Sequence, residues 1–357
     1  MILNCLDVSS LQSQFNSQFP AAHYLDADHL DALEPLLKSH ALLASDEVIT
    51  GTEKSGEGNM NFVLRVITDR QTLILKQSRS WVEKYPQIAA PVERLHAEAA
   101  YYRATATEPG LRAMSPALLA VDSIHLVMMT EDLGTGSDYT SIYLKGTELP
   151  LTEIKSLFGY LARLHQSTHD ADPSKFPLNR ELKQLNHEHI FNYPFRADNG
   201  FDLDAIQPGL QALAAPIQAN DSLRNRLSEL GEVYLDSGPV LIHGDFYPRS
   251  WLRTDSGLKV IDPEFAHFGQ AEFDVGVMIA QLLMARIPLE TIKTGLQSYL
   301  DHGSLDEALV IEFSGGEILR RLLGLAQLPL DLSLTEKRDL IDRAKTFVSD
   351  PASVPLC

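Results

Sequence analysis

With 357 residues, 44% of them hydrophobic and 22% charged, the chain has the size and composition of a folded protein with room for two domains. Its formal net charge of −18 would repel nucleic acid and anionic membranes, so neither is an expected partner. Two cysteines, Cys5 and Cys357, are too few for a disulfide framework or a cysteine-based metal site. Because we see neither a secretory signal nor an apolar run of membrane-spanning length, we expect a cytoplasmic protein.

Strand patterns dominate the first part of the chain. The polar residues 1–27 are expected to form an N-terminal extension. Residues 28–133 then contain short apolar runs bounded by turn residues, which predict strands. The predicted strands are 48–52, 62–67, 72–77, 117–121 and 125–129. We therefore expect a five-stranded antiparallel sheet in a first lobe that binds a nucleotide.

A glycine-containing loop separates the first two predicted strands, and it has the pattern G-x-G-x-x-N. Glycine allows a close approach of the backbone, so amide N–H groups can lie over phosphate oxygens. A position between two strands favours a kinase-type phosphate loop over a dinucleotide-binding turn, which would open a helix. A plain hairpin turn is the alternative. The candidate nucleotide-binding residues of this loop are Gly56, Gly58, Asn59 and Asn61.

Lys76 ends the third predicted strand, where it is either a solvated end residue or a ligand of nucleotide phosphates. In the second case a helix glutamate would hold its ammonium group. Glu98 is our candidate because it lies inside an amphipathic stretch, whereas Glu93 suits the N-terminus of that helix. After the fifth strand, the backbone from Glu131 to Leu133 is expected to form a hinge and to hydrogen-bond an adenine edge.

Three carboxylates follow short apolar strands in the central stretch 240–265. Asp245, the acid of an H-G-D motif, would orient an acceptor hydroxyl and accept its proton. Asp262 follows seventeen residues later, and Glu264 two residues after that. In an extended backbone, favoured by Pro263, these two side chains would point to one side and could share a metal ion. Three loop carboxylates in water are the alternative.

The loop after Asp245 carries further candidates. Ser250 occupies the position where protein kinases place an asparagine as second metal ligand. A hydroxyl is a weaker ligand, so Glu264 could supply the missing anionic oxygen. Tyr247 and Arg249 make the loop aromatic and basic, and they are candidate substrate contacts. Arg249 could contact an anionic acceptor, the transferred phosphate or a surface acid.

Helical periodicity dominates residues 134–357, which we expect to form a second lobe for catalysis and substrate binding. His165 suits a satisfied structural histidine better than a ligand. Asp274, in an F-D-V-G motif, either caps the helix predicted over 277–285 or braces the loop of Asp245. Further helices are predicted over 154–169, 289–300, 304–325 and 334–348.

Arg320 and Arg321 are neighbours in one of these helices, which is otherwise apolar. Adjacent helical residues point about 100° apart, so we expect one arginine to face the active site while the other braces the fold. A buried guanidinium group requires an anion, either a phosphate or an acidic side chain. A purely structural ion pair is the alternative to a catalytic role.

In this order, the motifs resemble those of the aminoglycoside-phosphotransferase-like kinases and, within them, of the methylthioribose kinase branch. The shared features are the loop 56–61, Lys76-Gln77, the segment with Arg94 and Glu98, H-G-D at 243–245, V-I-D-P-E-F-A at 260–266, F-D-V-G at 273–276 and I-L-R-R-L-L-G-L-A at 318–326. The resemblance implies an α+β, bilobal protein-kinase-like fold, with the five-stranded sheet in one lobe and a mainly helical second lobe. It also implies ATP and Mg²⁺ as cofactors and a sugar hydroxyl as acceptor. For that branch, the acceptor is the anomeric hydroxyl, with the arginine pair near the sugar and the developing phosphate.

One departure leaves the acceptor open. Methylthioribose kinases resemble one another as H-G-D-L-H-T-G-S, whereas this chain reads H-G-D-F-Y-P-R-S. We therefore predict an ATP-dependent kinase of a small hydroxylated metabolite, with methylthioribose or a related sugar first. A kinase of a cationic amino-sugar or amino-alcohol is the alternative enzyme, and the arginines argue against it. A nucleotide-binding regulator without turnover is the alternative outside enzymes. We also expect the chain to form a homodimer.

Overall fold

A computed structural model describes residues 8–27, 33–54 and 60–355 of the protein, without the side chain of Val8. The chain divides into two compact units. The first comprises Met1–Ala106 and Pro116–Gly134, and the second comprises Thr107–Ser115 and Thr135–Cys357. None of the helices in the described ranges has both the length and the apolar character needed to cross a membrane.

The first unit is built on a five-stranded sheet. Its helices are α1 (Val8–Gln18), α2 (Leu33–Ser39) and α3 (Arg94–Thr105), and its strands are β1 (Ile49–Lys54), β2 (Phe62–Thr68), β3 (Thr72–Gln77), β4 (Trp81–Val82), β5 (Tyr85–Ala89), β6 (Leu118–Asp122) and β7 (Val127–Glu131). The sheet has the order β1-β2-β3-β7-β6 with every neighbouring pair antiparallel, as predicted. Residues of alternating polarity in β2 bury Phe62, Leu64 and Val66 against β3 and α2.

Strand β7 begins two residues later than the sequence predicted. Asp122 Oδ1 accepts hydrogen bonds from the backbone N–H groups of Ile124 and His125, and Leu126 has a positive φ of 57°. The apolar pattern therefore starts inside a turn, because the aspartate draws these amides away from the sheet.

The second unit is mainly helical. Its helices are α4 (Pro109–Ala113), α5 (Leu151–Thr168), α6 (Arg180–His187), α7 (Leu210–Gln218), α8 (Asp221–Leu235), α9 (Ala271–Met284), α10 (Leu289–Leu300), α11 (Glu307–Leu323) and α12 (Leu334–Ser349). Its strands are β8 (Gly136–Asp138), β9 (Val240–Ile242), β10 (Trp251–Thr254), β11 (Gly257–Val260) and β12 (His267–Gly269). Short 3-10 turns cover Thr140–Tyr143, Pro173–Lys175, Tyr193–Phe195, Pro248–Ser250 and Pro351–Ser353, and Glu188–Asn192 forms a π-helical turn.

Helices α9 and α11 are buried over most of their length and pack closely on each other. Gly276 makes this approach possible, because a Cβ atom at this position would lie 2.7 Å from Phe313 Cβ and 2.8 Å from the Val310 carbonyl oxygen. Ser314 Oγ donates a hydrogen bond of 3.0 Å to the Gly276 carbonyl. The two helices thus form a fixed support for the short strands.

Those short strands bring the motif loops together. Strand β9 pairs antiparallel with β12, so the H-G-D loop after β9 lies beside the turn that precedes β12. Gly244 has a φ of +82°, and a Cβ atom there would lie 2.4 Å from the Phe265 carbonyl oxygen. Only glycine fits this backbone conformation at this separation.

Candidate active site

Lys76 and Glu98 form a buried ion pair in the first unit. Lys76 Nζ lies 2.7 Å from Glu98 Oε1, with the lysine on β3 and the glutamate on α3. The pairing predicted from the sequence is therefore present. An ammonium group held in this way at a fixed position suits the binding of nucleotide phosphates. That role for Lys76 stays a prediction.

The glycine loop is described only at its end. Gly56, Gly58 and Asn59 lie outside the described residues. Asn61 is buried, and its Oδ1 accepts hydrogen bonds from Arg94 Nε at 2.9 Å and Ser78 Oγ at 3.1 Å. Arg94 also donates to the Met60 carbonyl at 3.0 Å. The side-chain oxygen of Asn61 therefore anchors the end of the loop within the protein, and a nucleotide contact by this residue stays a prediction.

The predicted hinge begins inside the sheet. The backbone N–H of Glu131 donates to the Ala117 carbonyl at 2.9 Å, and Glu131 Oε2 accepts from the Ala117 N–H at 3.1 Å. The N–H group of Glu131 is therefore used within the sheet, and an adenine contact by the Glu131 carbonyl stays a prediction. Asp132 accepts from Arg65 Nη2 and the Gly134 N–H, both at 3.0 Å, which fixes the turn around Leu133. An adenine contact by Leu133 stays a prediction.

In the second unit, two guanidinium groups converge on Asp245. Arg321 Nη2 lies 3.0 Å and Arg320 Nη2 3.3 Å from the same carboxylate oxygen, Oδ1. The expectation that only one arginine faces the active site is therefore wrong. Both side chains are long enough to overcome the 100° between neighbouring helical positions. An acid and two cations thus lie together, which is the charge pattern that phosphoryl transfer to a hydroxyl uses.

Glu317 is the residue that the sequence interpretation missed. It lies one turn before the arginines on α11, and both Nε groups donate to it, Arg321 at 2.7 Å and Arg320 through a shorter contact. Burial alone would raise the pKa of Glu317, but the charges of Arg320 and Arg321 lower it below its ordinary value. An acidic residue three and four positions before two arginines in an apolar helix is the signal that could have identified it.

The aromatic residues of the loop divide between core and site. Phe246 is fully buried and stacks on Tyr160 with ring centroids 5.9 Å apart. Tyr247 lies beneath Arg321, whose Cζ is 4.6 Å from the ring centroid. Burial and the charge of Asp245 raise the pKa of Tyr247, against the opposing charges of Arg321 and Arg249. Part of the added bulk of this loop is therefore core packing, while Tyr247 and Arg249 remain candidate substrate contacts.

His243 joins the two acidic loops. In the tautomer that satisfies both contacts, Nε2 donates to the Ile261 carbonyl at 3.0 Å and Nδ1 accepts from the Asp245 N–H at 3.4 Å. Burial lowers the pKa of His243, which favours this neutral form. Ser250 adds a second connection, because its Oγ donates to the Asp245 carbonyl at 3.1 Å and its carbonyl accepts from the Ile261 N–H at 2.9 Å. The backbones before Asp262 and at Asp245 are therefore held together.

Asp262 and Glu264, the predicted metal ligands, do not lie in the extended backbone that the sequence predicted. Asp262 has a φ of +62°, so the extended backbone that would align it with Glu264 is absent, and the shared-side argument is wrong. Glu264 is buried in the following turn, where its carbonyl accepts from Asn179 Nδ2 at 2.7 Å. Among the described residues, no group of three or more His, Cys, Asp or Glu side chains is placed to hold a metal ion.

These residues nevertheless fit magnesium. This ion binds oxygen ligands, and protein sites for it use one or two carboxylates together with water and substrate phosphates. Asp262 offers such a carboxylate on a half-buried loop, close enough to His243 and Tyr247 for its charge to act on the pKa of both. Ser250 and Glu264 are further oxygen donors, and their roles as metal ligands stay predictions.

Asp274 braces the loop of Asp245. Its Oδ2 accepts from the His243 N–H at 2.6 Å and its Oδ1 from the Gly244 N–H at 3.0 Å. Helix α9 already begins at Ala271, so the alternative of a helix cap is wrong. Burial would raise the pKa of Asp274, but the hydrogen bond and charge of His165 lower it. His165 also contacts the Tyr299 hydroxyl at 2.9 Å, which confirms the expected structural histidine.

One further side chain lies near the arginines. His189 belongs to the π-helical turn Glu188–Asn192, a local geometry that is frequent at functional sites. Burial lowers the pKa of His189, and so does the charge of Arg320, while Glu188 acts in the opposite direction. The charge of Arg320 thus acts on His189, which no motif in the sequence indicated.

The chain is similar in sequence to known phosphotransferases. A model of the phosphotransferase enzyme family matches residues 54–309. A methylthioribose kinase of Exiguobacterium sibiricum is 28% identical over 257 residues, which cover 69% of this chain and 64% of the relative. One of Cronobacter sakazakii is 27% identical over 261 residues, covering 68% of this chain and 62% of the relative. The chain thus spans less than two thirds of the length of these relatives.

The fold has solved counterparts. The structure of a spectinomycin phosphotransferase in complex with ADP and spectinomycin is similar, with a TM-score of 0.54 and 12% sequence identity, over 93% of this chain and 100% of that chain. At this identity the likeness concerns the fold. It agrees with a sheet-containing first unit and a mainly helical second unit.

Proposed function

The chain belongs to the phosphotransferase enzyme family, and from this premise we propose that it is an ATP-dependent kinase that phosphorylates a hydroxyl group of a small sugar. Methylthioribose is the first candidate acceptor, because the relatives matched over most of this chain are methylthioribose kinases. We also propose a cytoplasmic enzyme. A homodimer stays a prediction of the sequence.

The observation that carries the proposal is the contact of Asp245 with two arginines. Asp245 is partly accessible, with its side chain 21% exposed, so an acceptor hydroxyl can reach it. The carboxylate would orient this hydroxyl and accept its proton as the oxygen attacks the γ-phosphorus. A new bond then forms between the acceptor oxygen and phosphorus while the bond from phosphorus to the β,γ-bridging oxygen breaks, and ADP leaves.

Other residues supply charge and position. Lys76, fixed by Glu98, would bind nucleotide phosphates through its ammonium group. Arg320 and Arg321 would offset negative charge on the moving phosphoryl group. Magnesium, when bound, neutralises phosphate charge, and Asp262 is the residue that would hold it. The protein's contribution is therefore mostly positioning and electrostatic stabilisation.

The same arginines argue for an uncharged acceptor. A cationic amino-sugar or amino-alcohol would approach Asp245 next to two guanidinium groups that lie 3.0 and 3.3 Å from its carboxylate. Repulsion between like charges at such distances costs more in a partly buried site than in water. Sugar hydroxyls carry no such cost and can accept hydrogen bonds from the arginines.

The test is ADP formation from magnesium-ATP with a panel of acceptors that includes methylthioribose, ribose, choline and an amino-sugar. We expect turnover with methylthioribose or a related sugar and little with the cationic compounds. Turnover with choline alone would contradict the acceptor class. Tight binding of magnesium-ATP without turnover of any acceptor would favour a nucleotide-binding regulator instead.

A further inference from the structure

We infer that Glu317 is a positioning residue of the phosphoryl-transfer reaction, which directs two arginines onto a single oxygen of Asp245. The inference rests on the proposed function for its catalytic meaning. It goes beyond that function because it assigns the arrangement of the acid and the cations to a residue that touches neither substrate nor nucleotide. All four side chains lie in the second unit.

Both arginines bridge Glu317 and Asp245. Their Nε groups donate to Glu317, and their Nη2 groups both reach Asp245 Oδ1. Arg320 Nη2 also lies 3.3 Å from Glu317 Oε1, so this nitrogen is shared between the two carboxylates. Because the guanidinium group is planar and rigid, fixing Nε also fixes the direction of Nη2. Glu317 thereby selects, for both arginines, the side-chain conformation in which the distal nitrogen faces the catalytic carboxylate.

A carboxylate is needed at this position for a second reason. Arg320 and Arg321 are each only 4% exposed, and Glu317 is 1% exposed. Two adjacent guanidinium groups would repel each other at such burial unless an anion lay between them. With Glu317 and Asp245 both ionised, two negative charges accompany the two positive charges, which lowers the cost of burying the adjacent arginines.

Glu317 is itself held in place by a neutral relay. Gln281 Nε2 donates to Glu317 Oε1 at 2.6 Å, and the Tyr143 hydroxyl donates to Gln281 Oε1 at 2.6 Å. These two residues are buried, and Gln281 lies on α9, which packs against α11. The amide orientation of Gln281 is thus set by the tyrosine, and the carboxylate plane of Glu317 is set by the amide.

The two oxygens of the Asp245 carboxylate therefore differ in their hydrogen-bond partners. Oδ1 of Asp245 receives both arginines, whereas Oδ2 receives no hydrogen bond from the described residues. Oδ2 is then the oxygen for the acceptor hydroxyl. Without Glu317, either arginine could rotate onto Oδ2 and occupy that position.

The test compares Glu317→Gln with a matched variant, Glu312→Gln. Glu312 lies on the same helix, is 3% exposed and is paired with Arg226, whose Nε is 3.0 Å away, but it has no contact with Asp245 among the described residues. Both variants lose one buried ionised partner. We expect Glu317→Gln to lower kcat about 10- to 100-fold, as small displacements of reacting groups do, with the KM for ATP within about twofold. Glu312→Gln should leave kcat within about twofold while lowering Tm.

A second measurement does not require turnover. In ¹H–¹⁵N spectra of the full chain, the Nε–H signals of Arg320 and Arg321 should exchange slowly with water, because both groups are buried and bound to a carboxylate. They should broaden or shift in Glu317→Gln and remain unchanged in Glu312→Gln. This readout tests the arrangement of the arginines even where the assignment of the acceptor fails.

The outcomes separate the two proposals. If the wild-type chain phosphorylates a sugar while Glu317→Gln and Glu312→Gln lose Tm equally and keep wild-type kcat, Glu317 is only structural and the inference is overturned. If the wild type phosphorylates no acceptor but the Nε–H signals respond as expected, the proposed function fails and the geometric part of the inference stands. Unchanged Nε–H signals in Glu317→Gln would overturn the inference directly.

Discussion

Asp245 is held in place by hydrogen bonds to its backbone and to its side chain. Its backbone N–H is bound by a neutral histidine, its backbone carbonyl by Ser250, and its carboxylate by two arginines. Motif spacing in the sequence identified the aspartate and the arginines. The anion that orders the arginines, Glu317, could not be assigned in this way, because its role depends on which side chains meet in the folded helix.

The first prediction concerns the proton acceptor. Asp245→Asn should lower kcat about 10²- to 10⁴-fold, since the amide can still hydrogen-bond an acceptor but cannot take its proton. Nucleotide affinity should stay within about threefold, because the phosphates are assigned to Lys76. Initial rates together with calorimetric titration of magnesium-ATP provide the measurement. The matched control is Asp255→Asn, an exposed aspartate in the turn between β10 and β11; equal rates for both variants would contradict the role of Asp245.

The second prediction concerns the residue that braces the loop. Asp274→Asn replaces one accepting oxygen with a donor that faces a backbone N–H group, so we expect a loss of about 2 to 4 kcal/mol in the free energy of unfolding. Urea denaturation followed by circular dichroism measures it. Asp255→Asn is again the control and should change stability by less than about 0.5 kcal/mol. A loss in Asp274→Asn no greater than in the control would show that these hydrogen bonds do not support the fold.

Sequence reasoning was wrong where backbone conformation departed from the local preference. Pro263 should favour an extended conformation at Asp262, yet its φ is +62°. The pairing of β9 with β12 and the contacts of His243 with the Ile261 carbonyl impose this conformation from outside the segment. Such tertiary contacts cannot be predicted from the spacing of Asp262, Pro263 and Glu264 in the sequence.

At the scale of elements, the packing of α9 against α11 supports the loop of Asp245 and the arginines together. Gly276 on α9 meets the backbone of α11, whereas a Cβ atom at Gly316 on α11 would have its nearest neighbours 3.7 Å or more away. Both glycines lie within helices, so the intrinsic helix propensity of the two sites is comparable. Their different surroundings give a direct test of the packing.

The third prediction uses this pair. Gly276→Ala should separate the helices and destabilise the protein by about 1 to 3 kcal/mol through overpacking. Gly316→Ala should be neutral or stabilising by up to about 1 kcal/mol, because alanine is the better helix former. Thermal unfolding of both variants measures the difference. Equal effects of the two substitutions would contradict the close approach of α9 and α11.

Most elements could be predicted from the sequence as either helix or strand, and α10 has the predicted bounds. Alternation of polar and apolar residues identified β2, and helical spacing identified α5 and α12. The start of α9 was placed six residues too late, because Phe273 to Gly276 was treated as a motif before the helix when it lies inside it. The burial of Asp274 explains this difference, since a polar residue in a fully buried helix interrupts the apolar pattern.

At the scale of the whole molecule, a buried histidine connects stability with pH. His267 is 2% exposed, its Nδ1–H donates to the Phe265 carbonyl at 2.9 Å, and burial together with the charge of Lys183 lowers its pKa to about 3. Between about pH 3 and its ordinary pKa of 6.5, the unfolded chain binds a proton that the folded chain does not. Stability from this residue is therefore complete above pH 6.5 and decreases as the pH falls.

The fourth prediction concerns this loss of stability at low pH. Lowering the pH from 7.5 to 5.0 should cost the wild type about 2 kcal/mol more than His267→Asn, whose amide retains the donor to Phe265 but does not titrate in this range. Thermal unfolding at the two pH values measures the difference. An equal loss in both proteins would show that His267 is protonated in the folded state as readily as in the unfolded chain.

³¹P NMR of the reaction mixture can detect the proposed transfer of the γ-phosphoryl group of ATP to a sugar hydroxyl. With magnesium-ATP and methylthioribose, we expect the γ-phosphate resonance to disappear while the resonances of ADP and a new phosphomonoester appear, and we expect Asp245→Asn to suppress both changes. A spectrum in which only ADP and inorganic phosphate form, or in which ATP persists with every sugar supplied, would contradict the proposed transfer.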